Sequence, residues 1–480
     1  MKISHFSVAV CLLAAAACTP ERTVVLLSTN DIHAQIDRFP QLAAAVEACR
    51  DTVENVVLVD AGDRWTGNPF VDRTTPAGMP IIRLMNRLGY DVATFGNHEF
   101  DHGQAHMGRI LDSVTFAVVC SNLRSDTCTF PQVPAYTILE RGGIRIGFVG
   151  AVTNYEGPGH PAGHASSFVG LTFPDPQQTS LQCARELRSQ VDLLVLVSHM
   201  GDKRDEELLA KTAQDGDNAN LYDLVIGGHT HQIRNSVVDG ALLTQTGSRL
   251  NNVGATVVRM RGRKIVDISF RLVELASYDA AQPYADMVVA YKNQPQLNRS
   301  AGRFAKGADK LGLAQWIARS IATATRSEIG LYHRGGVRLD TIPAGEVSRA
   351  AIYALEPFNT PVTVTRMTPE ELRAVILSKY NDTCNLGEAH RIDIVATTPY
   401  TIVTDAQDNA LDVVFPRLQA GRRYSIALND YIYRNYADID RTRGRILHSM
   451  LVNEVLLDEL GSGRSVVPDN NPLQHVQVRQ

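Results

Sequence analysis

Cysteine is sparse in this chain, 7 among 480 residues. No two cysteines stand in a Cys-x-x-Cys pair, which excludes a zinc-thiolate centre of the usual spacing. Beyond the first eighteen residues there remain Cys49, Cys120, Cys128, Cys183 and Cys384, an odd set that leaves at least one thiol unpaired within the chain. Cys120 and Cys128 flank a turn-like stretch and are the pair whose spacing permits a bridge. An excess of positive charge is also missing. Lys and Arg number 47 against 51 Asp and Glu, a formal net charge of −4, so there is no electrostatic footprint for duplex nucleic acid. Internal repeats and low-complexity tracts are absent, which excludes solenoid and disordered classes. What remains is the composition of an ordinary globular protein, 44% hydrophobic and 20% charged, long enough for two or three domains.

Residues 1–18 are a separate case. Lys2 precedes an apolar stretch from Phe6 to Ala17 broken only by Ser7. This is shorter than the roughly 20 residues a spanning helix needs and fits the apolar core of a secretory signal. Four alanines, Ala14 to Ala17, then lead into Cys18, an arrangement that resembles a bacterial lipoprotein signal. The expectation is an exported, periplasmic or cell-envelope protein, lipidated at Cys18, whose membrane contact is confined to that anchor.

From residue 23 to 276, short β-branched runs alternate with helical patterns. The runs are Val24–Ser28, Val56–Val59, Val92–Phe95, Phe116–Val119, Ile144–Val149, Leu193–Val197, Leu224–Ile226 and Ala241–Thr244. Several are almost wholly apolar, as strands covered on both faces should be. Pro40–Cys49, Met79–Leu88 and Ser180–Gln190 read as helices, so this part predicts an α/β layered domain with a central sheet and helices on its faces. Thr256–Leu275 reads as a hairpin turning at Arg261-Gly262-Arg263. Residues 277–307 read as a linker with a helix near Asp286–Lys292. A second, smaller α/β domain is expected over 308–480, with a helix at Leu313–Thr323, a strand at Val362–Arg366 and a helix opening at Thr368-Pro369.

Polar residues follow the buried runs with regularity. Asn30-Asp31-Ile32-His33 follows the first, Asp60-Ala61-Gly62-Asp63 the second, and Gly96-Asn97-His98-Glu99-Phe100-Asp101 the third. Ser198-His199 and Gly227-Gly228-His229-Thr230-His231 follow two later runs. Ligands of open α/β sheets bind beyond the carboxyl ends of the strands, so these segments converge on one edge. Asp31, His33, Asp63, Asn97, His199, His229 and His231 are too many donors for one ion. They suit two ions about 3.5–4 Å apart with one carboxylate bridging. Imidazole and carboxylate without thiolate favour Zn²⁺, Mn²⁺, Co²⁺ or Fe over Ca²⁺. Such a pair polarises a phosphoryl oxygen and generates hydroxide near neutral pH.

The motif order Asp-x-His, Gly-Asp, Gly-Asn-His-Glu, Ser-His and Gly-His-x-His resembles the calcineurin-like metallophosphoesterases, and within them the bacterial and animal 5′-nucleotidase family. Thr29–Ala34, Gly89–Gly103 and Gly227–Gln232 carry the likeness in the first domain. Gly335–Arg338, Pro343–Glu346 and Pro357–Thr360 carry it in the second. The resemblance implies that Asp31, His33 and His231 hold one ion, that Asn97, His199 and His229 hold the other, and that Asp63 bridges. It implies that His98 stabilises charge on the phosphate and that Asp101 orients it. It further implies that the second domain supplies Arg338 for phosphate and the rings of Phe358 and Tyr431 for a base, with Asp438 closing the nucleoside pocket.

Some positions depart from that pattern. His333 stands where the family usually has Asn, and Arg334 where it has Gly. The Gly expected before Asn359 is missing, and an earlier phosphate-binding Arg has no counterpart, with Lys306 or Arg334 as replacements. The expected activity is release of phosphate from nucleoside 5′-monophosphates by in-line attack of hydroxide at two metal ions. The alternatives are 2′,3′-cyclic nucleotide phosphodiesterase with 3′-nucleotidase activity, and nucleotide-sugar hydrolysis. A non-catalytic nucleotide-binding surface lipoprotein would require a broken metal site, whereas every expected position is filled.

Overall fold

The computed structural model describes residues 20–126, 130–155, 159–163, 165–214, 221–382 and 392–479. The leader with Cys18, together with Cys128 and Cys384, lies outside the described residues. Cys49, Cys120 and Cys183 are free thiols.

The first part contains two facing six-stranded sheets where a single central sheet was expected. In one, Glu21–Thr29, Val56–Asp60, Val92–Ala93 and Ala117–Val118 run parallel, flanked by the hairpin Asn252–Arg261 and Lys264–Glu274. In the other, Ile144–Val152, Leu193–His199, Leu224–Ile226 and Ala241–Thr246 run parallel, with antiparallel edges at Tyr136–Arg141 and Ile233–Val238. Side-chain alternation explains the pair of sheets. Val24, Leu26, Val57 and Val59 point inward against Ile146, Phe148, Val195 and Val197 of the opposing sheet. Val25, Leu27 and Leu58 point outward, towards helices Phe39–Arg50 and Met79–Leu88. On the far side, Leu194 and Leu196 pack on helices Pro176–Leu187 and Asp202–Gln214. A strand covered on both faces has no polar alternation, which is why these runs look continuous.

Between the two parts, helix Gln282–Lys292 packs on Phe39–Arg50, with the rings of Tyr284 and Phe39 6.2 Å apart. Strand Ser300–Phe304 pairs with Gly345–Ser348, so the second unit takes in residues that composition alone placed in a linker. Its main sheet has the order Ile394–Ala396, Ile329–His333, Tyr424–Asn429, Pro361–Met367, Arg445–Leu451. Helix Lys310–Thr325 covers it and buries Trp316 edge-on to Phe304 at 5.1 Å. Helix Pro369–Tyr380 opens with a capping box between Thr368 and Glu371, as the Thr-Pro start suggests.

The strand Ile329–His333 leads to the segment carrying His333 and Arg338, and its seat depends on Gly330. A Cβ there would lie 1.9 Å from the Ala318 carbonyl oxygen of the covering helix. Gly330→Ala is therefore expected to lower stability by about 1–3 kcal/mol through overpacking. A lowered thermal midpoint checks this, and an unchanged midpoint would show that the helix does not sit so close.

Candidate active site

The loops beyond the strand ends are backbone-strained. Asp31, His33, Asp63, Thr66, His229 and His231 adopt positive φ values of 50°, 47°, 58°, 68°, 81° and 56°. Such residues persist where surrounding contacts over-determine them, at about 1–3 kcal/mol each. Here main-chain hydrogen bonds lock one loop to the next. Asp31 N–H donates to Gly62 O at 3.0 Å, His33 N–H to Asp63 O at 2.9 Å, and Arg249 N–H to Asp31 O at 2.8 Å.

Glu99 ties two of the loops together. Its fully buried carboxylate accepts from Asp63 N–H at 2.9 Å and Gly96 N–H at 2.5 Å through one oxygen, and from Arg64 N–H at 2.8 Å through the other. Gly96 must be glycine, since a Cβ would sit 2.1 Å from Asp63 Oδ1. That oxygen accepts the His98 backbone N–H at 2.9 Å. Asp63 Oδ2 is left facing His199 Nε2 at 3.2 Å, His33 Nε2 at 3.9 Å and His98 Nε2 at 4.0 Å.

The seven sequence-derived donors come together at this edge. Asp31, His33 and His231 form one group able to hold an ion, and Asp31, Asp63 and His199 form another. His33 Nε2 and His231 Nε2 point at each other across 3.0 Å, and His231 Nε2 lies 3.4 Å from Asp31 Oδ1. Asn97 Oδ1 and His229 Nδ1 are 3.1 Å apart. His199 is oriented by the Ala61 carbonyl, 2.6 Å from its Nδ1, which leaves its buried Nε2 turned towards Asp63 Oδ2 at 3.2 Å. The electrostatics demand cations. Burial opposes charge on His199, yet Asp63 outweighs it and raises the imidazole to about 10. Burial likewise opposes ionisation of Asp63, but the histidines around it, His199 first, hold its carboxyl well below the usual range. Buried carboxylates whose charge is balanced here by a proton on His199, beside imidazole nitrogens aimed at the same point, fit divalent ions, which would take that proton's place.

His98 stands beside this cluster. Its Nδ1 is 2.7 Å from Asp101 Oδ2, and although burial favours the neutral ring, Asp101 and Asp63 raise its pKa. From the second unit, Arg338 brings Nη2 to 3.2 Å from both ring nitrogens of His33, and Phe358 stacks on His98 at 5.8 Å and 23°. One cavity of about 240 Å³ runs from Asp63, Asn97 and His98 past Arg338 and Phe358 to His333 and Tyr431. There His333 lies flat on Tyr431 at 5.1 Å and 22°, and burial lowers its pKa to about 4, so it is neutral near pH 7.

Two expected residues are not brought in. Arg334 uses its backbone N–H on the Asp393 carbonyl at 2.9 Å, and its side chain is outside the cavity lining. Asp438 is exposed and also outside the lining, because the turn carrying it faces solvent. Conversely, Lys379, Asp393 and Arg434 line the far end without any motif to announce them. Tyr436 donates its hydroxyl to Asp393, and Lys379 Nζ sits 4.9 Å from the Tyr436 ring centroid.

Residues 25–233 match the calcineurin-like phosphoesterase family, and residues 288–438 match the 5′-nucleotidase C-terminal domain. The chain belongs to the 5′-nucleotidase family. The calcineurin-like phosphoesterases use two divalent metal ions, and the Asp and His groups of the first part could hold them. The 5′-nucleotidase of Vibrio vulnificus is 23% identical over 430 residues, covering 73% of this chain and 74% of that protein. Endonuclease YhcR of Bacillus subtilis is 25% identical over 405 residues, covering 73% of this chain and 32% of that protein, so the chain spans about a third of that relative's length. The crystal structure of a 5′-nucleotidase precursor from Thermus thermophilus shares the fold, with a TM-score of 0.78 at 18% identity over 95% of this chain and 99% of that one.

The Glu99 clamp is testable. Glu99→Gln keeps the shape but turns an amide NH₂ towards backbone N–H donors. The expected loss is about 2–3 kcal/mol of stability, the scale of a hydrogen bond to a charged group, together with weakened metal retention. Wild-type thermal stability and metal content in this variant would contradict the clamp.

Proposed function

We propose that the chain is an exported 5′-nucleotidase that hydrolyses nucleoside 5′-monophosphates to nucleoside and inorganic phosphate. The observation that carries this reading is the single cavity joining the donor cluster to a ring-lined far end, with Arg338 and Phe358 reaching over its middle. In this reading Asp31, His33 and His231 would hold one ion, Asn97, His199 and His229 the other, and Asp63 would serve both. When bound, two divalent ions neutralise phosphoryl charge and make hydroxide available near neutral pH.

The chain's own residues do the rest. The Arg338 guanidinium donates a fork of hydrogen bonds to phosphate oxygens. His98, oriented by Asp101, donates towards the charge that grows as water oxygen bonds to phosphorus and the ester P–O bond breaks. Phe358 and Tyr431 give the base flat apolar surfaces, and His333 backs Tyr431. A phosphate held between the cluster and Arg338 leaves the rest of the nucleotide directed along the cavity. Export through the 1–18 leader and acylation at Cys18 belong to the same proposal, supported by the sequence of that leader.

Phosphate release across nucleoside 5′-monophosphates, 2′,3′-cyclic nucleotides, 3′-nucleotides and nucleotide sugars, with defined metals, tests the reading. The expected result is preferential hydrolysis of 5′-monophosphates, abolished by a chelator and restored by Mn²⁺, Co²⁺ or Zn²⁺. Preference for cyclic nucleotides or nucleotide sugars would overturn the substrate assignment. Full activity in the chelated protein would overturn the chemistry.

A further inference from the structure

Thr66 lies between the Asp63 loop and the short helix Pro69–Asp72, with 3% of its surface exposed and φ at 68°. A β-branched residue in the left-handed region is a genuine outlier, where a plain turn would carry Gly or Asn. The buried Asp72 carboxylate holds it there. Asp72 accepts from the backbone N–H of Thr66 at 3.0 Å, Gly67 at 2.8 Å and Asn68 at 2.9 Å. With its amide so engaged, Thr66 directs two further groups into the site. Its hydroxyl donates to Asp101 Oδ2 at 2.7 Å, the same oxygen that lies 2.7 Å from His98 Nδ1. Its carbonyl is 3.1 Å from His33 Nδ1.

We infer that Thr66 is a positioning residue for phosphoester hydrolysis, fixing the His98–Asp101 pair through its hydroxyl and the tautomer of His33 through its carbonyl. A carbonyl can only accept, so it selects the tautomer with the proton on His33 Nδ1, a choice that Arg338 Nη2, 3.2 Å from both ring nitrogens, does not make, and Nε2 is left as a lone pair facing Asp31, Asp63 and His231. The hydroxyl gives Asp101 Oδ2 a second donor, so the carboxylate cannot turn away from the imidazole it orients. A single strained residue thereby couples a metal-ligand ring to the ring beside the phosphate. This rests on the reading of His98 and Asp101 as the catalytic pair.

Two substitutions separate the hydroxyl from the turn. Thr66→Val keeps the branching and volume, and Thr66→Gly relieves the positive φ. Both keep the carbonyl and lose the donor. The expected result is a kcat lowered about ten- to thirtyfold, the scale of one hydrogen bond to a charged group, with KM and metal content unchanged and with Thr66→Ser restoring turnover. Across Thr66→Val, Thr66→Gly and Thr66→Ser, turnover should follow the presence of the hydroxyl and not the thermal midpoint, a pattern that a purely structural role does not give. In an Asp101→Ala background, Thr66→Gly should add almost nothing, because the hydroxyl acts through that carboxylate. Wild-type kcat in Thr66→Gly, or an equal loss in the Asp101→Ala background, would overturn the inference. Asp101→Ala alone keeps the readings apart: full activity there removes the catalytic pair, whereas impaired Asp101→Ala beside normal Thr66→Gly removes only the role of Thr66.

Discussion

The site is organised by how Asp63 divides its two carboxylate oxygens. Oδ1 accepts the His98 backbone N–H, and Oδ2 faces His199, His33 and His98. The first bond fixes the loop carrying Asn97 and His98 to the loop carrying Asp63. The second oxygen becomes the point on which the imidazoles converge. Both depend on Glu99, which holds the Asp63 and Gly96 amides, and on the absence of a side chain at Gly96. Two six-stranded sheets bring the carboxyl ends of their parallel strands to this one edge, so the strained loops have rigid supports.

The second unit completes the cavity without supplying any of the proposed ligands. Arg338 crosses to His33 and Phe358 to His98, and Arg249 of the first unit donates to the Arg338 carbonyl at 2.8 Å. Arg73 braces the same junction. It lies 3.8 Å from the Tyr353 ring centroid and 3.2 Å from Asn359 Oδ1, next to Phe358. Burial, reinforced by the positive charge of Arg338 beside it, holds the His33 imidazole well below its ordinary pKa and so neutral, as a metal ligand must be.

Much of this was legible in the sequence where one chemical demand acts on neighbouring residues. Strands buried on both faces must be apolar throughout, so Leu193–His199 and Leu224–Ile226 announced themselves. The donors follow those strands directly, so their motifs were readable in order. What stayed hidden depends on contacts between distant residues. The second sheet was not apparent because strands facing a sheet and strands facing a helix look alike. The edge strand Ile233–Val238 mixes polar and apolar residues and gave no buried-strand signal. Asp393 and Lys379 reach the cavity from segments without a motif, and Thr66 acts through bonds to Asp72 and Asp101 that no spacing rule encodes. Arg334, a replacement for an arginine of the pattern that this chain lacks, and Asp438, expected on local resemblance, both lie outside the cavity lining.

The most direct test of the account is the metal stoichiometry of Asp63→Asn, measured by elemental analysis alongside the parent protein. The substitution preserves size and the acceptor for the His98 amide but removes the charge shared by the converging histidines. The expected result is two equivalents of divalent metal in the parent, fewer than two in the variant, and loss of phosphate release in step. Two equivalents and full activity in Asp63→Asn would contradict it.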